Sequence, residues 1–269
     1  MPLKDTLWDS QMPLAQVIQE VGKPVDDAVQ TKDSNAVEAA LWSVWNDLIT
    51  AAGNTPHAQQ DCLVDIVRNI QRKAGPFDSN GQSCNVWDKP VEWEKMSLFG
   101  AALREKWNYS PEDPKSSTSG AAEWINLNAF IARITSGYTV SECFDFSLYG
   151  LWTLRAALED EESSTRTVQA TLVNAAAMWM MYAGQVMWRK SQIDFEYDGK
   201  KARAGETLED KEWRGFSIER WTTWEDRLKA LEKSCGGESH ELVDIALTKM
   251  DEVARQYKLR HFTTEPDCS

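Results

Sequence analysis

A chain of 269 residues with 42% hydrophobic side chains can bury the core of one large domain or two small ones, which excludes wholesale disorder. Its 42 acidic against 29 basic residues leave a net charge of -13, a field that repels phosphate backbones and anionic lipid, so nucleic acid and membrane are excluded as general partners. The first residues lack the apolar run of an export signal, the most apolar later stretch meets Arg189 and Lys190 before membrane-spanning length, and five scattered cysteines form no Cys-x-x-Cys pair; a soluble cytoplasmic protein with reduced thiols is expected.

In chain order, Pro13 suits the first turn of a short helix, and Gly22 with Pro24 predicts its end near residue 21. Residues 1–33 are therefore expected as an N-terminal segment with one short helix, ahead of an all-helical core over 34–257 and a loose tail over 258–269. Over 34–52, Val37, Leu41, Val44, Trp45 and Leu48 recur at helical spacing; Gly53-Asn54 ends that run, and Pro56 can start a successor carrying Leu63, Ile66, Val67 and Ile70. The two are expected to pair as an antiparallel hairpin. Residues 74–90 read as a loop anchored by Phe77 and Trp87, and 91–107 as a helix with Trp93, Met96, Gly100, Leu103 and Trp107 inward. The polar stretch 108–120 reads as a surface loop, and the loops around Gly75 and Lys115 permit an N-terminal subdomain through about residue 110.

Over 121–135, Trp124, Leu127, Ile131 and Ile134 form an inward stripe with Asn128 beside it. Another helix is expected over about 140–160, and the run Glu159-Asp160-Glu161-Glu162 reads as its solvated end. The next begins near Arg166 and contains NAAAMWMMYAGQVMWRK over 174–190, apolar nearly all round, which places it at the centre of a helical bundle. The polar, glycine-containing stretch 194–211 is expected as an exposed connection, and the short basic pieces Arg68, Arg72 and Lys73, and Arg189, Lys190, Lys200, Lys201 and Arg203, as solvated surface. Ser217 can cap a helix aligning Trp221, Trp224, Leu228 and Leu231, ended by Cys235-Gly236-Gly237; Ser239 can cap a last one with Leu242, Ile245, Ala246, Met250, Val253 and Tyr257 inward. With little β alternation and no repeat, the fold class is all-α: a single multi-helix globular domain of about eight to ten packed helices.

The chain lacks a dinucleotide-binding glycine turn, a phosphate-binding loop, a nucleophile elbow and a zinc pattern, so neither cofactor nor metal is expected and no catalytic residue is assigned. Cys143, between structural-looking aromatics, reads as an inert buried thiol. At about 100° per residue, Asn174, Met178, Tyr182, Gln185 and Arg189 share one side of the central helix. That lane can orient a largely apolar ligand through two amides, a phenol and a cation. Trp124 and Asn128 on one neighbouring helix, and Trp152 and Arg155 on another, add apolar walls with polar handles and complete the candidate ligand-binding set. A satisfied buried network ending in a surface arginine is the competing reading of the same residues.

The arrangement INLNAFIARIT, LYGLWTLRAALE and NAAAMWMMYAGQVMW resembles a family of fungal, intracellular, largely helical proteins of uncharacterised function, some associated with secondary-metabolite gene clusters. The likeness extends over about residues 35–255 and rests chiefly on residues 124–130 and 175–179, which are packing features. It implies a helical fold and a setting in fungal metabolism, and carries no catalytic residue across.

The leading expectation is binding, or cofactor-independent transformation, of a small apolar metabolite. The alternative is a structural or protein-interaction module, with a homodimer through the Trp221/Trp224 face as its partner. A minor third is magnesium-dependent isoprenoid chemistry at the acidic run 159–162.

Overall fold

The computed structural model describes residues 12–107, 118–137, 145–161 and 165–262, leaving aside the side chains of 118, 119 and 257–262. The polar loop over 108–117, the expected helix start near Val140, Cys143, the inward place of Tyr257 and the tail after Phe262 lie outside what is described. Among the described residues nine α-helices carry the chain and the sheet is a single two-stranded hairpin, as the all-α expectation requires. The chain divides into two compact units, residues 1–113 and 114–269.

In the first unit, α1 (Leu14–Gln30) runs straight through Gly22 and Pro24, where an end was expected. Val17, Val21, Val25 and Val29 recur every four residues and are all buried, so one continuous apolar stripe outweighs the hydrogen bond lost at Pro24. Helix α2 (Ser34–Asn54) starts at Asp33, whose side chain accepts from Asn35 N at 2.9 Å, and α3 is Asp61–Gln71. The expected hairpin of α2 and α3 gives way to a different pairing: α1 packs against both.

Phe77 and Trp87, expected to anchor the loop after α3, do so only at the surface: they are 53% and 55% exposed, with Phe77 O accepting from Gln30 and Trp87 donating to Glu38. The loop is held by Val86, Val91 and Trp93, with Trp93 N donating to Gly75 O at 3.2 Å. Strands β1 (Asn85–Val86) and β2 (Lys89–Pro90) flank a two-residue turn, Trp87-Asp88, whose φ values of 51° and 60° suit a tight hairpin. Residues 91–98 are not helical, with turns over 93–98 and Met96 and Leu98 at φ 49° and 64°, so that Trp93 and Met96 reach the core from irregular backbone. Helix α4 (Phe99–Trp107) buries Phe99, Ala102 and Leu103 and leaves Gly100 outside. Trp45 of α2 meets the ring edges of Trp93 and Phe99 at 5.9 and 5.4 Å and donates Nε1 to Ser97 O at 2.7 Å.

The second unit contains α5 (Thr118–Ser136), α6 (Ser147–Leu158), α7 (Arg166–Gln192), α8 (Ile218–Glu232) and α9 (Glu238–Phe262). Helix α7 packs against each of the other four, the central place that its nearly continuous apolar surface predicts. Thr165 and Ser217 cap α7 and α8 by accepting from Val168 N at 3.3 Å and Arg220 N at 3.1 Å. Gly150 lets α6 lie close on α7: a Cβ there would stand 2.2 Å from Met187 Cε and 2.6 Å from Trp179 Cε3. Ile245, expected inward on α9, is 41% exposed.

The connection between α7 and α8 is not simply exposed. Tyr197 N donates to Arg214 O at 2.9 Å and Phe216 N to Phe195 O at 2.8 Å, closing its two ends on each other. Ala202, Ala204 and Phe216 are buried, and a Cβ at Gly215 would meet Phe195 O at 1.9 Å.

Candidate functional site

The lane on α7 passes from core to surface along its length. Asn174 and Met178 are buried, Tyr182 is half-buried, and Gln185 and Arg189 are exposed. Beside it, α5 supplies Arg133, whose guanidinium lies 4.1 Å from the centre of the Tyr182 ring. A second contact joins the same helices, from Trp179 Nε1 to Asn128 Oδ1 at 2.7 Å. Both contacts advance together along the chain, so α5 and α7 run parallel. Trp124 then stands one turn before Asn128, as Asn174 stands just over one turn before Trp179.

Asn128 is a junction between helices. Its Oδ1 accepts from Trp179 Nε1 and, at 2.9 Å, from Thr153 Oγ1 of α6, while its Nδ2 donates to Trp124 O at 2.9 Å. Both lone pairs of the carbonyl are thereby used in tying α5, α6 and α7 together. Thr153 and Trp179 were outside the sequence-derived set; their signal is a hydroxyl and an indole N–H on otherwise apolar faces. By contrast, Asn174 is 7% exposed and its Oδ1 has no hydrogen-bond partner among the described residues. Trp152 and Arg155 do not join this group through any described bond. Trp152 is turned to the connection after α7, donating Nε1 to Lys201 O at 2.6 Å and meeting Tyr149 at 5.2 Å, and Arg155 is half-buried on α6.

Two charged centres overturn surface readings. Lys190, expected as solvated, is 8% exposed: its Nζ donates to Asp145 Oδ2 at 2.8 Å and lies 3.5 Å from the Phe195 ring centre. Asp145 also accepts from the Ser147 hydroxyl, which lies 2.8 Å from Tyr197 OH. Its neighbour Arg189 is exposed, since one residue turns the helix by about 100°. Glu159, expected at a solvated helix end, is fully buried against Arg220. Arg220 Nε and Nη2 donate to Oε1 and Oε2 at 2.7 and 2.8 Å, and its remaining N–H groups go to Ala202 O, Gly215 O and Arg203 O. Trp224 Nε1 and Gly205 N complete the carboxylate at 2.6 and 2.9 Å. Both oxygens of Glu159 thus hold protein donors, and Asp160 Oδ1 accepts from Glu206 N at 3.0 Å.

Trp221 and Trp224 are 1% and 0% exposed, packed on Trp188 and Phe216 inside the unit, so a second copy would have to use another face. Among the described residues no helix is long and apolar enough to cross a membrane.

Fold and geometry thus define an all-α protein whose central helix carries a lane of polar groups from the core to the surface. The chain belongs to the family described as "Protein of unknown function (DUF3632)", which it matches over residues 45–228. No curated protein and no solved structure matches it.

Proposed function

We propose that the second unit binds a small, largely apolar metabolite against α7, and that this molecule presents a hydrogen-bond donor to Asn174. The observation that carries the reading is the buried Asn174 Oδ1 without a partner among the described residues. Such an oxygen costs about 1–3 kcal/mol when left unsatisfied, and an O–H or N–H of a bound molecule relieves that cost. Met178 and Trp124 supply apolar surface at the same depth, while Tyr182, Gln185 and Arg189 offer polar contacts toward the exposed end of the lane. Asn128 acts here by positioning Trp179 and holding the three helices. Following the resemblance, the metabolite belongs to fungal secondary metabolism, the protein acts in the cytoplasm, and any transformation proceeds without a cofactor.

The test begins with mass spectrometry of protein denatured after purification, in search of a released small molecule. Tryptophan fluorescence titrations with that molecule, or with a panel of apolar alcohols and phenols, then compare the native chain with Asn174→Leu. Affinity is expected to fall about tenfold or more, equivalent to about 1.4 kcal/mol, with the urea midpoint unchanged or raised. Equal affinity in the variant, or no released molecule and no response to the panel, overturns the proposal.

A further inference from the structure

We infer that Glu38, Trp42 and Trp87 in the first unit form a surface site for an arginine side chain carried on a basic segment of another protein. Glu38 and Trp42 stand one turn apart on α2, and Trp87 is at the tip of the β1–β2 hairpin. The two indoles lie 6.4 Å apart at 58°, making two walls of a corner. Both Nε1–H groups donate to the same oxygen, Glu38 Oε1, at 3.4 and 3.1 Å. That fixes the carboxylate between the rings, while Oε2 has no bond to any described residue.

Anchoring alone does not account for Trp87. It is 55% exposed, and it occupies φ 51° with Asp88 at φ 60°, in a two-residue turn where Asn-Gly would rest without strain. A bulky aromatic held in the left-handed region and left in solvent is kept for something outside the chain.

The chemistry selects the occupant. Indole faces attract cations, and a carboxylate with an open oxygen favours one that still carries N–H donors, so a planar guanidinium, which stacks and pairs at once, fits better than a quaternary ammonium. The corner is open where small-molecule sites enclose their ligand, so the cation is best delivered by a partner chain. The net charge of -13 draws basic partners to the protein, and tryptophan facing arginine is a frequent energetic centre of interfaces.

The experiment titrates the full chain with a neutral-backbone Gly/Ser peptide bearing three arginines, read by tryptophan fluorescence and calorimetry at about 0.15 M salt, where long-range attraction is screened. Its counterpart with three lysines and tetramethylammonium chloride are run in parallel. Saturable binding that prefers arginine is expected, weakened about tenfold or more by Trp87→Asn and by Glu38→Gln. Because asparagine tolerates positive φ, Trp87→Asn is also expected to leave the urea midpoint unchanged or raised, whereas a tryptophan serving only as hairpin anchor would lower it. The inference is overturned by absent arginine binding, by equal binding of the lysine peptide or tighter binding of tetramethylammonium, by undiminished binding in Trp87→Asn, or by a lowered midpoint in that variant.

Discussion

Replacing Arg220 with methionine isolates the buried charge centre of the second unit. The substitution keeps an unbranched apolar stem, though a shorter one, and removes all five donors, which now reach Glu159 twice and the carbonyls of Ala202, Gly215 and Arg203 once each. Glu159 retains only Trp224 Nε1 and Gly205 N, too little to compensate a carboxylate that is 0% exposed. Breaking such a pair from one side costs about 3–5 kcal/mol. Each orphaned carbonyl adds about 1–3 kcal/mol, less whatever is relieved as the connection between α7 and α8 opens to water. A loss of about 3–5 kcal/mol is therefore the expected floor, a fall in melting temperature of roughly 6–20 °C for a unit of this size. Urea unfolding followed by tryptophan fluorescence measures the loss, and scanning calorimetry the melting shift. The double variant Glu159→Gln/Arg220→Met is expected to be more stable than Arg220→Met, because no ionised carboxylate is stranded in it. A loss below about 1 kcal/mol for Arg220→Met, or a double variant as unstable as the two single losses added, would refute the reasoning.

Asn128→Leu removes the acceptor of Trp179 Nε1, while Thr153 Oγ1 keeps Tyr149 O at 3.0 Å; a loss of about 1–3 kcal/mol and a changed near-ultraviolet circular dichroism signal from Trp179 are expected. Gly150→Ala places a methyl 2.6 Å from Trp179 Cε3 and is expected to cost about 1–3 kcal/mol in urea unfolding, since the buried ring must shift along with the end of Met187. In the first unit, the backbone N–H of Gln82, then Lys32 and the N–H of Asn80, hold the Asp78 carboxyl below its usual range. A depressed folded-state value means that the stabilisation is present above the unfolded value of about 4 and is lost as pH falls through the folded one. The gap in urea midpoint between the native chain and Asp78→Asn should therefore be open at neutral pH and close progressively below about pH 4. A gap that persists unchanged into strong acid contradicts that account.

Within the candidate site, alignment was legible and partnership was not. The coalignment of Asn174, Met178, Tyr182, Gln185 and Arg189 follows from helical spacing, and the structure keeps them on one lane graded from buried to exposed. Nothing in that spacing distinguishes Asn128, whose carbonyl is saturated by Trp179 and Thr153, from Asn174, whose Oδ1 is not. Trp152 illustrates the same limit, because its indole is claimed by Lys201 from a connection that local polarity presents as solvent.

The sequence by itself determined most of the helices and much of their inward faces, because a 3.6-residue period and a capping hydroxyl act within a few residues. The stripes at Val37 to Leu48 and Trp124 to Ile134, the cap at Ser217, and the central place of α7 belong to that class. Tertiary structure decided which charges are buried. Glu159 and Arg220 are 61 residues apart, and Lys190 and Asp145 are 45 apart, so neither local charge density nor helix phase identifies the partner that makes burial tolerable. It also decided that α1 continues through Pro24, since the gain from four buried valines is set by the helices it packs against and not by the residue that opposes it.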